Sequence, residues 1–285
     1  MKILLTAPPS TGKSTVIESV VSGFSGYAMG VIAREVIDLS GVRCGFEVVD
    51  SRGNSEQFMT LATDCSDELD TKIGRFSVDI ESLESIALPE LSAALARNAH
   101  LLYIDEIGRA QAKSLPFLDV VRQAIDSRQN LLGSIVYESE QFSLEFKTNP
   151  RCCVVEVTEF NRDHLPEILL SIYNSAFDFY SLTPSAQLWV NSIFKKLLQN
   201  GEFIAARKLF DNAIPYVLGN RLELLAQEGN ILTYRISGQT NVHFVELDSR
   251  TDLVRCDCDL SNGRGQFVSK LQTCSHEMAI RMVNA

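Results

Sequence analysis

No apolar run in the 285-residue chain approaches the ~18 residues of a membrane-crossing helix, so no helical span is expected. Positive charge is also in deficit. Thirty-six acidic residues against 26 basic ones leave a net charge of −10. That excludes non-specific coating of nucleic acid, although a local basic surface remains compatible with it. There is no internal repeat and no low-complexity tract. Nor does a secretory leader precede the strand-like first residues, so the expectation is a cytoplasmic protein whose seven cysteines are not in disulfides. What remains, 45% hydrophobic and 22% charged residues, has the composition of ordinary folded domains with room for one large or two modest cores.

The most informative segment stands near the amino end. Ala7-Pro8-Pro9-Ser10-Thr11-Gly12-Lys13-Ser14-Thr15 follows directly on Met1-Lys2-Ile3-Leu4-Leu5. A buried strand running through such a loop into a helix wraps backbone N–H groups around a phosphate. Lys13 adds a mobile positive charge, and Ser14 offers a hydroxyl to Mg²⁺. The first glycine of the usual pattern is here Ala7, one methyl larger. A second element complements the first. His100-Leu101-Leu102-Tyr103-Ile104-Asp105-Glu106 is an apolar run ending in two carboxylates, the pattern of a central parallel strand whose carboxyl end meets a ligand. Asp105 would orient Mg²⁺ together with Ser14, and Glu106 would polarise an attacking water. Taken together, the two segments predict Mg²⁺-dependent binding and hydrolysis of ATP, GTP or other NTPs.

Residues 1 to about 178 alternate strand-like and helix-like segments. Apolar runs fall at Met29–Ala33, Phe46–Val49, Leu101–Ile104, Leu131–Val136 and Cys153–Val157. Helical periodicity marks Ile80–Ala96 (interrupted by Pro89), Phe117–Ser127 and Arg162–Phe177. The alternation predicts an α/β domain with a mostly parallel sheet covered on both faces. Asp38 to Phe76 breaks the rhythm and reads as a hairpin-rich excursion. Residues 179–218 read as a helical connector, with helices over Ser185–Gln199 and Glu202–Val217. Trp189, Ile193, Leu197, Ile204, Leu209 and Phe210 form their packing stripe. Residues 219–285 change to strands at Arg221–Ala226, Ile231–Ile236 and Val242–Leu247, an antiparallel meander.

That meander leads to Cys256-Asp257-Cys258 and, fifteen residues later, Cys274-Ser275-His276. Three thiols and one imidazole in two close pairs suit four-coordinate tetrahedral Zn²⁺ with no open position, a structural site. Asn262-Gly263-Arg264-Gly265 supplies the turn between the pairs. So small a module would depend on its metal for folding.

These residues also carry two resemblances. Thr6-Ala7-Pro8-Pro9 through Thr15, Gly30 to Val36, Gly41-Val42-Arg43-Cys44-Gly45-Phe46, Ile73-Gly74-Arg75-Phe76-Ser77-Val78, Ile104-Asp105-Glu106-Ile107-Gly108 and Val157-Thr158-Glu159-Phe160-Asn161-Arg162-Asp163-His164-Leu165 resemble, in order, the cancer-related (THEP-type) nucleoside-triphosphatases. The resemblance implies a RecA-like P-loop fold and slow Mg²⁺-dependent hydrolysis of NTPs to NDPs with broad base tolerance. Ala7 departs from the family pattern, as does Tyr137, where a basic residue is common. The last 65 or so residues are similar to the SWIM zinc-finger module, with its Cys-x-Cys and Cys-x-His pairs. This implies zinc at Cys256, Cys258, Cys274 and His276 and contact with a nucleic-acid or protein partner.

Several charged residues are further candidates. Arg34, Arg43, Arg75, Arg109 and Arg162 could meet phosphate charge, Arg109 being nearest in sequence to Glu106. Glu35 could position water or metal. Asn161 and Arg162 follow the last strand of the α/β half, where a base lies in this architecture by analogy. Lys195, Lys196, Arg207 and Lys208 read as a solvated face before a nucleic-acid contact. Two alternatives to simple hydrolysis stay open: a nucleotide or nucleic-acid kinase accepting phosphate in the 38–76 excursion, or a switch in which NTP occupancy controls what the zinc module grips.

Overall fold

The computed structural model describes residues 1–62, 72–174, 191–192, 195, 203–219, 221–238, 241–251, 253–258 and 274–284. It divides into two compact units, Met1–Pro166 and Glu167–Ala285. The expected helix over Ser185–Gln199 falls almost wholly outside the described residues, as do Cys65 and the Asn262–Gly265 turn. No helix among the described residues is long and apolar enough to cross a membrane.

The first unit is built on a nine-stranded sheet. Its strands are β1 (Lys2–Thr6), β2 (Ala28–Ile37), β3 (Arg43–Asp50), β4 (Ser55–Leu61), β5 (Lys72–Ile73), β6 (Phe76–Val78), β7 (Leu101–Ile107), β8 (Asn130–Ile135) and β9 (Cys152–Glu156). They lie in the order β5-β6-β4-β3-β2-β7-β8-β1-β9. The run from β2 to β9 is parallel throughout, and β3, β4, β6 and β5 extend it in antiparallel pairs. This is the α/β sheet expected from the alternation. The hairpin-rich excursion is its antiparallel wing.

Position in the sheet explains composition. β1 lies between β8 and β9 and is buried along its whole length, so its residues are apolar on both faces. β8 separates β1 from the acidic strand β7. Helices α1 (Lys13–Gly23), α2 (Ile80–Ala96), α3 (Leu115–Asp126) and α4 (Gln141–Lys147) fill the crossovers. α2 starts where Asp79 accepts from Ser82 N at 3.1 Å, and α3 where Ser114 Oγ accepts from Phe117 N at 3.0 Å. α2 runs unbroken through Pro89. Burial of Leu83, Ala87, Glu90, Leu91 and Ala94 outweighs a local proline penalty of about 3 kcal/mol. Seven-residue α4 is too short to leave a readable period.

In the second unit β10 (Leu222–Glu228), β11 (Ile231–Ser237), β12 (Val242–Asp248) and β13 (Leu253–Cys256) form the antiparallel meander, in that order. Gly229, at φ 61°, makes the first turn with Asn230, the left-handed pair a two-residue hairpin demands. The small core holds Tyr234, Ile236, Val245, Leu247 and Ile280 together with Cys256, Cys258 and Cys274. Ile280 comes from the Ser275–Asn284 helix, and Tyr216 of the Phe203–Leu218 helix packs against the same cluster.

Lys2 is the exception in β1. It is 1% exposed and donates to Ala124 O at 2.6 Å, Ser127 Oγ at 3.1 Å and Gln129 O, closing the end of α3. Burial pushes its amine down to about 7. The unfolded amine stays charged to about pH 10.5, so the unfolded chain binds the extra proton above pH 7 and stability should rise with pH. Its neighbour Cys152, raised to about 12 by burial, opposes this once the unfolded thiol ionises near pH 9. Between pH 7 and 9, Lys2 should therefore add on the order of 1 kcal/mol per pH unit. Urea midpoints of the wild type should show this slope and Lys2→Met should lack it; equal slopes would refute it.

Candidate functional site

Between the end of β1 and the start of α1 the chain turns at Ser10 (φ 63°) and Gly12 (φ 109°), both left-handed. Such turns among ordinary residues produce a concave row of backbone amides, and Gly12 takes its conformation without steric strain. Thr11 Oγ1 donates to Pro8 O at 2.8 Å, closing the loop on itself. Lys13 Nζ donates to Ala7 O at 2.9 Å and Pro8 O at 3.3 Å, so its ammonium rests on the loop's own carbonyls. Ala7 is 1% exposed. Its extra methyl is packed inward, which is why a residue other than glycine is tolerated there.

The acidic strand arrives through the sheet. Asp105, near the end of β7, is buried, and its Oδ1 accepts from the Ser134 hydroxyl on β8. Its Oδ2 is buried with no hydrogen-bond partner. Burial raises the Asp105 carboxyl, while the Ser134 and Ser14 hydroxyls and the Lys13 ammonium pull it back. Glu106 is likewise raised by burial, opposed by Lys13 and reinforced by Asp105 and Glu138. Lys13, Ser14, Asp105 and Glu106 therefore sense one another's charge. The sequence pairs them by motif; the fold brings them together. An orphaned carboxylate oxygen near a serine hydroxyl, facing a cradle of amides, fits a hydrated Mg²⁺ with a phosphate chain: hard oxygen donors for the cation, N–H donors for the anion.

Two groups complete this region. Ser134, buried in β8, carries no motif, and its role emerges only from strand order. The loop after β9 is tied to the cradle by Val157 N donating to Thr6 O at 2.8 Å. Within it Asn161 is buried, its Oδ1 accepting from Thr158 N and its Nδ2 donating to Glu156 O, both at 2.8 Å. It shapes the loop from within. Arg162 lies against the cradle: a Cβ on Gly12 would stand 3.6 Å from Arg162 Cδ.

The remaining charged candidates are engaged elsewhere. Glu35 pairs with Arg43 at 2.5 Å across the β2–β3 hairpin, and Arg34 with Glu18 at 3.5 Å. Arg109 pairs with Glu140, at the start of α4, and Arg75 lies over the Phe76 ring at 5.2 Å. Lys195 and Lys208 are exposed; Lys196 and the Arg207 side chain lie outside what is described.

In the second unit Cys256, Cys258, Cys274 and His276 are all buried, and their ligand atoms lie within 4.8 Å of one another. His276 Nδ1 is 3.7 Å from Cys256 Sγ and 4.0 Å from Cys274 Sγ. A zinc tetrahedron with ordinary Zn–S and Zn–N bonds has S···N edges of about 3.6 Å, so this cluster has the size and donor set to hold one metal ion. Cys258 N and Glu277 N each approach a thiol sulfur at 3.4 Å. On its other side, His276 Nε2 lies 3.2 Å from the Tyr216 hydroxyl. Such a partner fixes the imidazole of a metal ligand.

Comparison with known proteins bears on the first unit. A family model described as NTPase matches residues 2–170. The chain is 33% identical over 172 residues to the nucleoside-triphosphatase THEP1 of Thermotoga petrophila, covering 60% of this chain and 92% of that protein. It is 32% identical over 184 residues to the cancer-related nucleoside-triphosphatase homolog of Bos taurus, covering 61% and 97%. Among solved structures, THEP1 from Aquifex aeolicus superposes with a TM-score of 0.55 at 27% identity, over 61% of this chain and all of that one.

The Ser134 hydroxyl is a test of how the acidic strand is held. Ser134→Ala leaves the buried Asp105 carboxylate without that donor and should lower stability by about 1–3 kcal/mol. A urea midpoint indistinguishable from wild type would show that the hydrogen bond contributes nothing.

Proposed function

The chain belongs to the NTPase family through residues 2–170 and is a nucleoside-triphosphate phosphohydrolase; on that premise we propose that hydrolysis is Mg²⁺-dependent and runs between the 7–15 loop and the Asp105–Glu106 pair. The observation that carries the reading is the buried Asp105 carboxylate, one oxygen held by Ser134 and the other unpartnered, beside Lys13 and Ser14.

The backbone amides of residues 7–15 bind the phosphate chain. Lys13 exchanges its carbonyl acceptors, Ala7 and Pro8, for phosphate oxygens. Ser14 and Asp105 would hold Mg²⁺, which when bound neutralises charge on the phosphate oxygens. Ser134 keeps the Asp105 carboxylate aimed. Glu106, its proton affinity raised by burial, orients the attacking water and takes up its proton as the bond to phosphorus forms. Arg162, stacked on Gly12, adds positive charge at the rim of the cradle.

The four-ligand cluster Cys256, Cys258, Cys274 and His276 would hold Zn²⁺ as a structural cross-link, because three of its members already sit in a core of few apolar residues. The second unit then serves as a module for binding nucleic acid or protein.

Phosphate release from ATP tests the first part. Lys13→Ala should lose nucleotide binding and turnover together. Glu106→Gln should keep binding and lose at least 100-fold in kcat, roughly the contribution of a general base. Normal turnover in either variant would sink the proposed site. For the second part, purified protein should carry one zinc per chain by atomic absorption. Stripping it with a zinc-selective chelator under excess Mg²⁺ should unfold the meander unit, read by circular dichroism. A metal-free but cooperatively folded second unit would count against structural zinc.

A further inference from the structure

We propose that the loop joining β9 to α5 (Leu165–Tyr173) is a nucleobase subsite, with Phe160 as its stacking platform. The inference rests on the nucleotide reading of the cradle. Phe160 is 88% exposed. The loop around it is otherwise polar at the surface, with Glu159, Arg162, Asp163 and His164 all exposed, so nothing in its own packing calls for a phenyl ring. The loop is nonetheless rigidly seated. Val157 N is bonded to Thr6 O at the cradle's first residue, Asn161 is buried beneath it with both amide ends used, and Arg162 lies on Gly12. An exposed aromatic on a braced loop beside a phosphate cradle is pre-ordered for a planar ligand.

The geometry leaves one side for a base. On the β8 side of β1 stand Asp105, Glu106 and Glu138, which face the reacting end of the phosphate chain and raise one another's proton affinity. The β9 side has Phe160 and Arg162. A nucleotide with its terminal phosphate toward the carboxylates therefore carries its sugar and base toward the 158–164 loop. Recognition there is by stacking rather than by edge reading, since the Asn161 amide, the group best suited to a base edge, is fully occupied by the backbone. Every base offers a π face, so this subsite accepts all four and holds the larger purines more firmly.

Calorimetric titration of the full chain with ADP and with inorganic pyrophosphate, both with Mg²⁺, separates base from phosphate. Phe160→Ala should weaken ADP about tenfold while leaving pyrophosphate unchanged, and Phe160→Trp should restore or tighten ADP. GDP should follow ADP, and UDP should lose less. Because Phe160 is exposed, neither variant threatens folding. Unchanged ADP affinity in Phe160→Ala overturns the subsite, and so does an equal loss for ADP and pyrophosphate. If the wild type binds neither ligand, the cradle reading itself fails and takes the subsite with it; if it binds both, any failure belongs to the subsite alone.

Discussion

A buried carboxylate with one partner too few organises the first unit. Asp105 sits in a sheet interior where a charged group is costly, and Ser134 supplies a single donor to one of its oxygens. Most buried polar atoms in a folded protein are satisfied. This one is left to be completed by something that enters from the cradle, and everything near it is arranged accordingly. β8 lies between β1 and β7 and carries Ser134; Lys13 and Ser14 reach from α1 and lower the carboxyl's proton affinity against the effect of burial. The same low-polarity surroundings that make the carboxylate expensive make its attraction for an incoming cation strong. Ligand binding is therefore coupled to the stability of the sheet's centre.

The second unit solves a different shortage. Its core has five apolar side chains in contact with three cysteines, too little buried area for independent stability without a cross-link. The thiols occupy core positions, not the surface, so they are part of the packing before they are part of any coordination shell. Tyr216 reaches the same centre from another helix and fixes the outer nitrogen of His276. A metal held there would tie the meander, the final helix and the Phe203–Leu218 helix at one point, which is what a small four-stranded sheet lacks.

What could be read in advance divides along the line between local and long-range information. The 7–15 loop is contiguous, so its chemistry was legible from residue order, and Asp105 and Glu106 were found because they end a strand with a recognisable apolar run. The two thiol-containing pairs were legible for the same reason. Ser134 was not: a serine in an apolar strand says nothing until strand order sets β8 beside β7. Glu35 and Arg109 show the converse. Their positions in sequence suggested the site, but each has a nearer opposite charge, Arg43 and Glu140, that only the fold supplies. Asn161 was placed near a base by analogy with the architecture, whereas the structure uses both ends of its amide to hold the loop. Pro89 was read as an interruption because local propensity was all that was visible; the packed face of α2 overrides it.

One hydrogen bond joins the two halves of nucleotide recognition. Thr6 ends the strand that opens into the phosphate cradle, and its carbonyl accepts from Val157 N, where β9 gives way to the loop bearing Phe160 and Arg162. Phosphate contacts and base contacts thus hang from adjacent strands in fixed register, Thr6 opposite Glu156. A parallel pair buried in a sheet cannot slip by one residue without turning every side chain to the wrong face. The spacing between the two contact regions is consequently set by the sheet and not by either loop. Loops can then vary in sequence, as Ala7 does, while the distance a nucleotide must span stays constant. The division of labour follows: the carboxylate side determines what is done to the phosphate, and the β9 side determines only how firmly the rest of the molecule is held while it happens.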